Sequence, residues 1–381
     1  MRQFSSIIDS RTETASDSPF RVAGSMKKYI ALVLIAALIF TLAACGDDSV
    51  SIDLAEHLKK KEGLDMSEQL QAFNELGFGM FIHFNSATFQ FKDEKDDWFY
   101  GVTDSVNNSR YRTFPPVDFD PGEIDFRQWA DIAKSVGCKF AALTAKHHEG
   151  FALWPSEATD HSVTSSPYNG DVVRGYVDAM RANGILPGLY FSMLDLHHNI
   201  TEKGVDEDQK ALIYCQLKEL LTWYGEIPIL VIDGWGSGWG GPRFSQLDYG
   251  ETAEYIHGLS PNTLILNHSC EVSYEHTDVI FFENAAGQNV PKNFSGYGAA
   301  GNKLTKCWFW KEKDTGKRLK SARWAVRKKL RPMNEQGVVF LLNASPNKNG
   351  MIEKNIADAR SPHLKTDNNL RYATKYDTIN I

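Results

Sequence analysis

Several classes of protein are excluded by what the 381-residue sequence lacks. Basic blocks are short, as in the lysine run at residues 59–61, and 48 acidic residues outnumber 41 basic ones, so no nucleic-acid partner is expected. No glycine-rich phosphate loop follows an early predicted strand, which argues against a nucleotide-binding sheet. The spacing of the five cysteines matches neither a metal site nor a CxxC motif. We therefore expect neither a metal nor an organic cofactor.

The N-terminal segment resembles a bacterial lipoprotein signal. Met26 and two lysines precede an uncharged stretch over residues 29–44, and Cys45 follows small residues as in a lipobox. A transmembrane anchor is the alternative, but the stretch is short for one. We interpret residues 1–45 as an upstream extension plus signal peptide, with Met26 as the true start and Cys45 as the lipidation site. The lipid would then be the only membrane contact of an exported, periplasmic or cell-surface protein.

The remaining cysteines leave two states open. An exported protein can form disulfides, whereas buried free thiols are equally compatible with the sequence. These residues are Cys138, Cys215, Cys270 and Cys307.

Strand and helix signals alternate along most of the chain. Apolar runs predict strands at residues 77–84, 140–145, 185–193, 229–232, 263–266, 279–282 and 338–342. Amphipathic patterns predict helices at residues 125–136, 171–183, 206–223, 251–259 and 317–330. Such βα units fit either a doubly wound sheet or a (β/α)8 barrel, and their number favours the barrel.

The sequence therefore predicts an α/β protein with one catalytic domain, a TIM-like barrel over residues 70–350. A linker with a leading helix (residues 46–69) precedes it, and a tail (residues 351–381) follows it. Residues 85–120 and 284–316 are long irregular insertions after strands. In a barrel, loops in these positions shape the active site.

Polar side chains follow two of the predicted strands. Asp233 ends an apolar run, and His147 and His148 come directly after another. In parallel α/β folds, catalytic groups collect at such strand ends. The simpler interpretation is that Asp233 caps a turn before Gly234. The histidine pair also suggests a metal, but no third ligand at suitable spacing stands out.

Four segments occur in order along the chain: FGMFIH at residues 78–83, KHHEGFALWPS at 146–156, GLYFS at 188–192 and LLNASPNKNG at 341–350. Together they resemble glycoside hydrolase family 29, the α-L-fucosidases. The similarity covers roughly residues 70–350, without the family's C-terminal β-sandwich. It implies a carbohydrate substrate and retaining hydrolysis of terminal α-L-fucosyl residues by double displacement. The oligomeric state is left open.

The resemblance assigns the catalytic carboxyls. Asp233 matches the nucleophile at the end of a barrel strand, and Glu283 matches the acid/base in a DxxxxE segment that begins at Asp278. Glu271 and Glu275 are rivals for the second role. Retaining glycosidases place their two carboxyl groups about 5–5.5 Å apart.

The resemblance also implies a set of sugar contacts. Histidines offer donors and acceptors to vicinal hydroxyls, and aromatic rings cover the apolar sugar face. The resemblance assigns such contacts to His83, Asp97, Trp98, His147 and His148. Among the tryptophans, either Trp308 or Trp310 forms an aromatic wall or both belong to the core, and Trp235 and Trp308 complete the predicted substrate-binding set.

Two departures from the family pattern concern the pocket. Val231 stands where a tryptophan is frequent, and the stretch Asn267, His268, Ser269 lacks an arginine that is frequent near the anomeric centre. We therefore expect activity weaker or broader than the family norm. A galacto-configured glycoside is the nearest competing substrate, and a non-catalytic glycan-binding lipoprotein is the alternative of another class.

Overall fold

The computed structural model describes residues 66–90, 114–236, 240–268, 272–319 and 322–360. Cys45 with its signal-like segment, Asp97, Trp98 and Glu271 lie outside the described residues. Within the described ranges, no helix has both the length and the apolar character needed to cross a membrane.

Eight parallel strands form a nearly closed barrel. They are β1 Phe78–Ile82, β2 Phe140–Lys146, β3 Leu186–Ser192, β4 Ile229–Asp233, β5 Leu264–Asn267, β6 Ile280–Phe282, β7 Gly298–Asn302 and β8 Val338–Asn343. Their order is β5-β4-β3-β2-β1-β8-β7-β6, so the first strand pairs with the last. This pairing confirms the predicted barrel and excludes the doubly wound sheet. Burial on both faces explains the nearly continuous apolar runs.

Side chains complete the seam between β5 and β6. Asp278, which precedes β6, donates its backbone N–H to the Ile265 carbonyl (2.9 Å) and accepts the Ile265 N–H on Oδ2 (2.8 Å). Thr277 Oγ1 accepts the Asn267 N–H at 2.9 Å. These bonds satisfy backbone groups that would otherwise be buried without partners. Asp278 therefore has a role in closing the barrel.

Helices cover the outside of the barrel. They are α1 Ser67–Leu76, α2 Ser86–Gln90, α3 Phe126–Ser135, α4 Val172–Ala182, α5 Glu207–Thr222, α6 Tyr249–Leu259, α7 over residues 322–334 with a π-helical turn Val326–Leu330, and α8 Lys354–Arg360. Four of them begin at an aspartate whose carboxylate accepts the backbone N–H three residues on. These N-caps are Asp125, Asp171, Asp206 and Asp248.

Strand β7 was not predicted, because its sequence GAAGN has no branched apolar residue. A side chain at Gly301 would lie 3.0 Å from the Phe281 ring and 3.4 Å from Trp308. Neighbouring aromatic rings thus fill the barrel where β7 has none to offer. The prediction of an irregular segment over residues 284–316 was therefore wrong for residues Gly298–Asn302, which form β7. Cys138, Cys215 and Cys307 are free thiols.

We predict that Asp278→Ala destabilises the protein by about 1–3 kcal/mol, because the buried Ile265 N–H loses its acceptor. Urea unfolding followed by circular dichroism measures this change. Asp131→Ala is the matched control, since Asp131 makes an exposed pair with Arg127 on one face of α3 and should contribute less than about 0.5 kcal/mol. Equal stability of the two variants would contradict the role of Asp278.

Candidate active site

The carboxyl ends of the strands bring polar side chains to one face of the barrel. Parallel strands all open their C-terminal ends on the same side, so residues distant in sequence meet there. The group, taken in strand order, consists of His83, His147, His148, Tyr190, Ser192, Asp233, His268, Glu283 and Asn343.

Asp233 is a buried carboxylate with several positive or hydrogen-bonding neighbours. Its Oδ2 accepts the Tyr190 hydroxyl at 2.7 Å and lies 3.1 Å from His268 Nδ1 and 3.7 Å from His148 Nε2. Burial alone would raise the pKa of Asp233, but the positive charge of His268 and the Tyr190 hydrogen bond outweigh burial and lower that pKa. Asp233 is therefore an ionised, fixed carboxylate.

Gly234 fixes the second oxygen of Asp233. Its N–H donates to Asp233 Oδ1 at 2.6 Å from a left-handed backbone conformation, φ +62°. A Cβ at this position would lie 2.6 Å from Cβ of Leu194, so only glycine fits. The Gly234 bond agrees with the turn-capping interpretation of Asp233, and it leaves Oδ2 to the contacts with Tyr190, His148 and His268.

Glu283 follows β6 and shares a neighbour with Asp233. Trp308 donates its indole N–H to Glu283 Oε1 at 3.0 Å. His268 Nε2 lies 3.7 Å from Glu283 Oε2, so the two carboxylates face opposite nitrogens of one imidazole ring. Glu283 keeps 22% of its side-chain surface exposed, which leaves it accessible to a ligand. Its rival Glu275 is exposed on a turn before β6.

His83 is held as a neutral imidazole. Its Nδ1 lies 2.8 Å from Asn343 Oδ1, and the Asn343 amide nitrogen already donates to the Trp308 carbonyl. Because Oδ1 must then accept, we assign the proton to His83 Nδ1, which leaves a lone pair on Nε2. Burial lowers the pKa of His83 to about 3. A neutral His83 can accept a hydrogen bond from a sugar hydroxyl.

His148 is also held as a neutral imidazole with its proton on Nδ1. Ser192 donates its hydroxyl to the Leu194 carbonyl (2.7 Å), so its oxygen can only accept from His148 Nδ1, also at 2.7 Å. Burial lowers the pKa of His148 to about 4 and the pKa of the adjacent His147 well below its ordinary value. His147 stacks on Tyr190 with ring centroids 5.4 Å apart. Three neutral imidazoles therefore lie close to Asp233.

Aromatic rings form one wall of the site. Trp308 stacks on His83 with centroids 4.8 Å apart and an interplanar angle of 23°. Phe309 meets His83 and His147 edge-on, at 5.3 and 5.0 Å. Trp308 thus joins the predicted group and contacts Glu283 as well.

Trp235 lies apart from this group. It is fully buried, donates its indole N–H to the Leu247 carbonyl at 3.1 Å, and packs against Phe244 and Tyr249. Its ring joins the loop after β4 to the start of α6. We therefore assign Trp235 a structural role in place of the predicted sugar contact.

A buried ion pair supports the ends of β2 and β3. Lys146 Nζ lies 3.1 Å from Asp195 Oδ2 and 3.0 Å from Gln216 Oε1, with the ammonium 4.1 Å from the Phe191 ring centroid. Asp195 Oδ1 accepts from the backbone N–H of His198. These contacts fix the loop that carries His148 and the end of β3 that carries Ser192.

A second histidine cluster lies under the loop after β2. Glu149, His161 and His197 have potential metal-ligand atoms within 4.8 Å of one another. The two imidazole rings, however, are stacked 3.6 Å apart and parallel within 3°, so their in-plane lone pairs cannot converge on one ion. Glu149 already accepts two backbone N–H groups, from Phe114 and Phe151. The cluster fits a structural network and not a metal site.

Four members of the site were not predicted from the sequence, namely Tyr190, Ser192, His268 and Asn343. All four lie within two residues of a strand's carboxyl end, which was the signal that identified Asp233 and the histidine pair. His268 was noted only as standing where an arginine is frequent.

The family model for alpha-L-fucosidase matches residues 49–360. Alpha-L-fucosidase 1 of Arabidopsis thaliana is 36% identical over 208 residues, which make up 54% of this chain and 37% of that protein. The tissue alpha-L-fucosidase of Homo sapiens is 32% identical over 141 residues, or 33% of this chain and 30% of that protein. The chain thus matches about a third of the length of these curated relatives.

Two solved structures share the architecture. Alpha-L-fucosidase isoenzyme 1 from Paenibacillus thiaminolyticus superposes with a TM-score of 0.60 at 28% identity, covering 78% of this chain and 74% of that one. Alpha-L-fucosidase AlfC from Lactobacillus casei, in complex with its alpha-L-fucose product, has a TM-score of 0.63 at 20% identity and covers 80% and 99%. The second likeness concerns the fold alone. Because the family model spans most of the sequence, the chain belongs to the alpha-L-fucosidase family.

Proposed function

We propose that the protein is a retaining exo-α-L-fucosidase. The observation that supports this most strongly is the pair Asp233 and Glu283, one buried and ionised and the other partly exposed, on either side of one imidazole. A glycan-binding protein has no need of two carboxylates in this arrangement, whereas double displacement needs both.

The first step uses Asp233 as the nucleophile. Its carboxylate attacks the anomeric carbon and forms a glycosyl ester, while Glu283 gives its proton to the departing glycosidic oxygen. Tyr190 and Gly234 orient the attacking carboxylate, since each donates a hydrogen bond to one of its oxygens. Fixed orientation lowers the entropic part of the barrier.

The second step releases the sugar. Glu283, now ionised, removes a proton from water, and the resulting hydroxide attacks the anomeric carbon and frees Asp233. The Trp308 indole N–H donates a hydrogen bond to Glu283 Oε1 and thereby orients that carboxyl toward the reacting water. Two inversions at one carbon retain the configuration of the substrate.

The neutral histidines suit a deoxysugar with several hydroxyls. His83 and His148 each keep an Nε2 lone pair that can accept a hydrogen bond from a sugar hydroxyl. The ring wall of Trp308 and Phe309 offers an apolar surface to a methyl group such as C6 of fucose. Val231, which stands where a tryptophan is frequent, is fully buried within β4. The smaller side chain therefore changes the packing beneath the pocket and not a direct contact with the sugar.

We further propose that the protein is exported and anchored through a lipid on Cys45. The support is the sequence itself, in which a basic start and an uncharged stretch lead to a lipobox-like cysteine. A membrane-anchored exo-glycosidase would act on glycans outside the cytoplasm.

We predict that Asp233→Gly lowers kcat/KM on aryl α-L-fucosides by at least about 10³-fold, because the covalent route is lost. Azide should restore turnover by direct displacement and yield the inverted β-fucosyl azide, which proton NMR identifies. Asp131→Gly controls for the loss of an exposed carboxylate. A folded Asp233→Gly variant with wild-type hydrolysis would reject Asp233 as the nucleophile.

Glu283→Ala is expected to slow release of the fucosyl enzyme while substrates with good leaving groups still react in the first step. Azide should accelerate this variant too, but with an α-fucosyl azide product, because azide then replaces water in the second step. Glu275→Ala serves as the control and should behave as wild type. The assignment fails if Glu275→Ala shows the azide rescue and Glu283→Ala does not.

For specificity, we predict that aryl α-L-fucoside exceeds the α- and β-L-galactosides in kcat/KM by about tenfold or more. L-galactose differs from L-fucose only by its C6 hydroxyl, which would be buried against apolar rings, and an unpaired buried hydroxyl costs about 1–3 kcal/mol. Parallel steady-state kinetics on the three nitrophenyl glycosides measures the ratio. A higher kcat/KM on a galactoside would leave the proposed reaction type intact and show that the assigned sugar is wrong.

A further inference from the structure

His268 occupies the space between the two catalytic carboxylates. It follows β5, and its Nδ1 lies 3.1 Å from Asp233 Oδ2 while Nε2 lies 3.7 Å from Glu283 Oε2. Phe281 meets its ring edge-on at 4.5 Å, which fixes the orientation of the imidazole. The His268 side chain is only 10% exposed, so solvent screens it weakly.

His268 interacts with the two carboxylates mainly through charge attraction and less through directed hydrogen bonds. Neither ring nitrogen makes a hydrogen bond of good geometry, although both face carboxylate oxygens at close range. A neutral imidazole would therefore gain little in this position. A protonated one attracts both carboxylates without needing ideal angles.

Double displacement moves one negative charge across the site. Before the first step Asp233 is ionised and Glu283 holds a proton, whereas in the glycosyl enzyme Asp233 is an ester and Glu283 is ionised. A cation between the two oxygens compensates the charge in both states without moving. On the basis of the proposed function, we propose that protonated His268 is this shared counter-charge and that its deprotonation switches the enzyme off.

The surroundings of His268 support this assignment. The titratable groups that face it across the barrel mouth are His83, His147, His148, Tyr190, Asp233, Glu283 and, through His83, Lys303. Burial lowers the pKa of His83 to about 3 and of His148 to about 4, so neither is a cation near neutral pH. Burial also lowers the pKa of His268, but Asp233 and Glu283 outweigh burial and raise it above the ordinary value.

The sign of the pH effect follows. His268 is protonated below its raised pKa and loses its charge as the pH rises through that value. If the cation is required, kcat/KM falls about tenfold per pH unit on the alkaline side, because one proton is lost. Glu283 also contributes to an alkaline fall with ordinary substrates, since it must be protonated to act as an acid.

An activated substrate separates the two groups. A dinitrophenyl α-L-fucoside has a leaving group that needs no proton from Glu283, so its kcat/KM reports the remaining ionisation. We expect an alkaline fall in the wild type and none in His268→Arg, whose guanidinium cannot lose its proton in this range. His268→Gln should be at least about tenfold slower at pH 6.5 and flat on the alkaline side.

His276→Gln is the matched control, because it removes an imidazole that stacks on Phe244 at 3.7 Å, away from the carboxylates. It should keep the wild-type alkaline fall. A wild type that is flat with the activated substrate, or a His268→Gln variant that retains the fall, would overturn the proposal. A purely structural His268 would reduce the rate without altering the shape of the profile.

A measurement without substrate separates this proposal from the proposed function. Nitrogen-15 NMR of the imidazoles reports the charge of His268 directly, assigned by its loss in His268→Gln. We expect the cation to predominate at pH 6.5 in the wild type and the neutral form in Asp233→Asn, which lacks the anionic partner. A neutral His268 at pH 6.5 would overturn the proposal even if the protein hydrolyses fucosides. A cationic His268 in a protein that cleaves no fucoside would instead reject the proposed function.

Discussion

A carboxylate buried at the mouth of the barrel is the constraint around which the site is arranged. Asp233 is 5% exposed, and an ionised group so far from water must be compensated by charges or hydrogen bonds. Neighbouring strands supply these partners: Tyr190 from β3, Gly234 from the turn after β4, and His268 from the end of β5. The strand register places each partner, so the barrel itself determines the ionised state of this carboxylate.

The same burial has opposite effects on the histidines. His83 and His148 donate hydrogen bonds from Nδ1–H to Asn343 Oδ1 and Ser192 Oγ, and burial keeps both rings neutral. His268 has no such neutral partner and faces two carboxylates instead, which favours its charged form. The barrel mouth thus combines two neutral imidazoles, which can accept hydrogen bonds from sugar hydroxyls, with the imidazolium proposed at His268, which faces both carboxylates. The charge of each ring differs because Nδ1 of His83 and His148 faces a neutral oxygen, whereas Nδ1 of His268 faces the Asp233 carboxylate.

Most of the fold could be predicted because parallel barrel strands are buried on both faces and read as apolar runs. Seven strands were recognised in this way, and β7 was not. Its glycines make room for Phe281 and Trp308, so the bulk that identifies a strand is supplied by other elements. The helix α7 also begins later than its apolar period indicates, at residue 322. Packing between elements explains why β7 was missed, and a local pattern contains no information about such packing.

The site was predictable where a polar residue directly ends a strong apolar run, as at Asp233. His268 was harder, because its importance depends on which residue lies beside it in the next strand. Ile232 pairs with Asn267, and the His268 N–H donates to the Ile232 carbonyl, so His268 and Asp233 are neighbours across β4 and β5. A shift of one residue would turn the imidazole away from the mouth. The absence of an arginine in this stretch therefore does not leave the carboxylates without a cation, since the register delivers a histidine to the place between them.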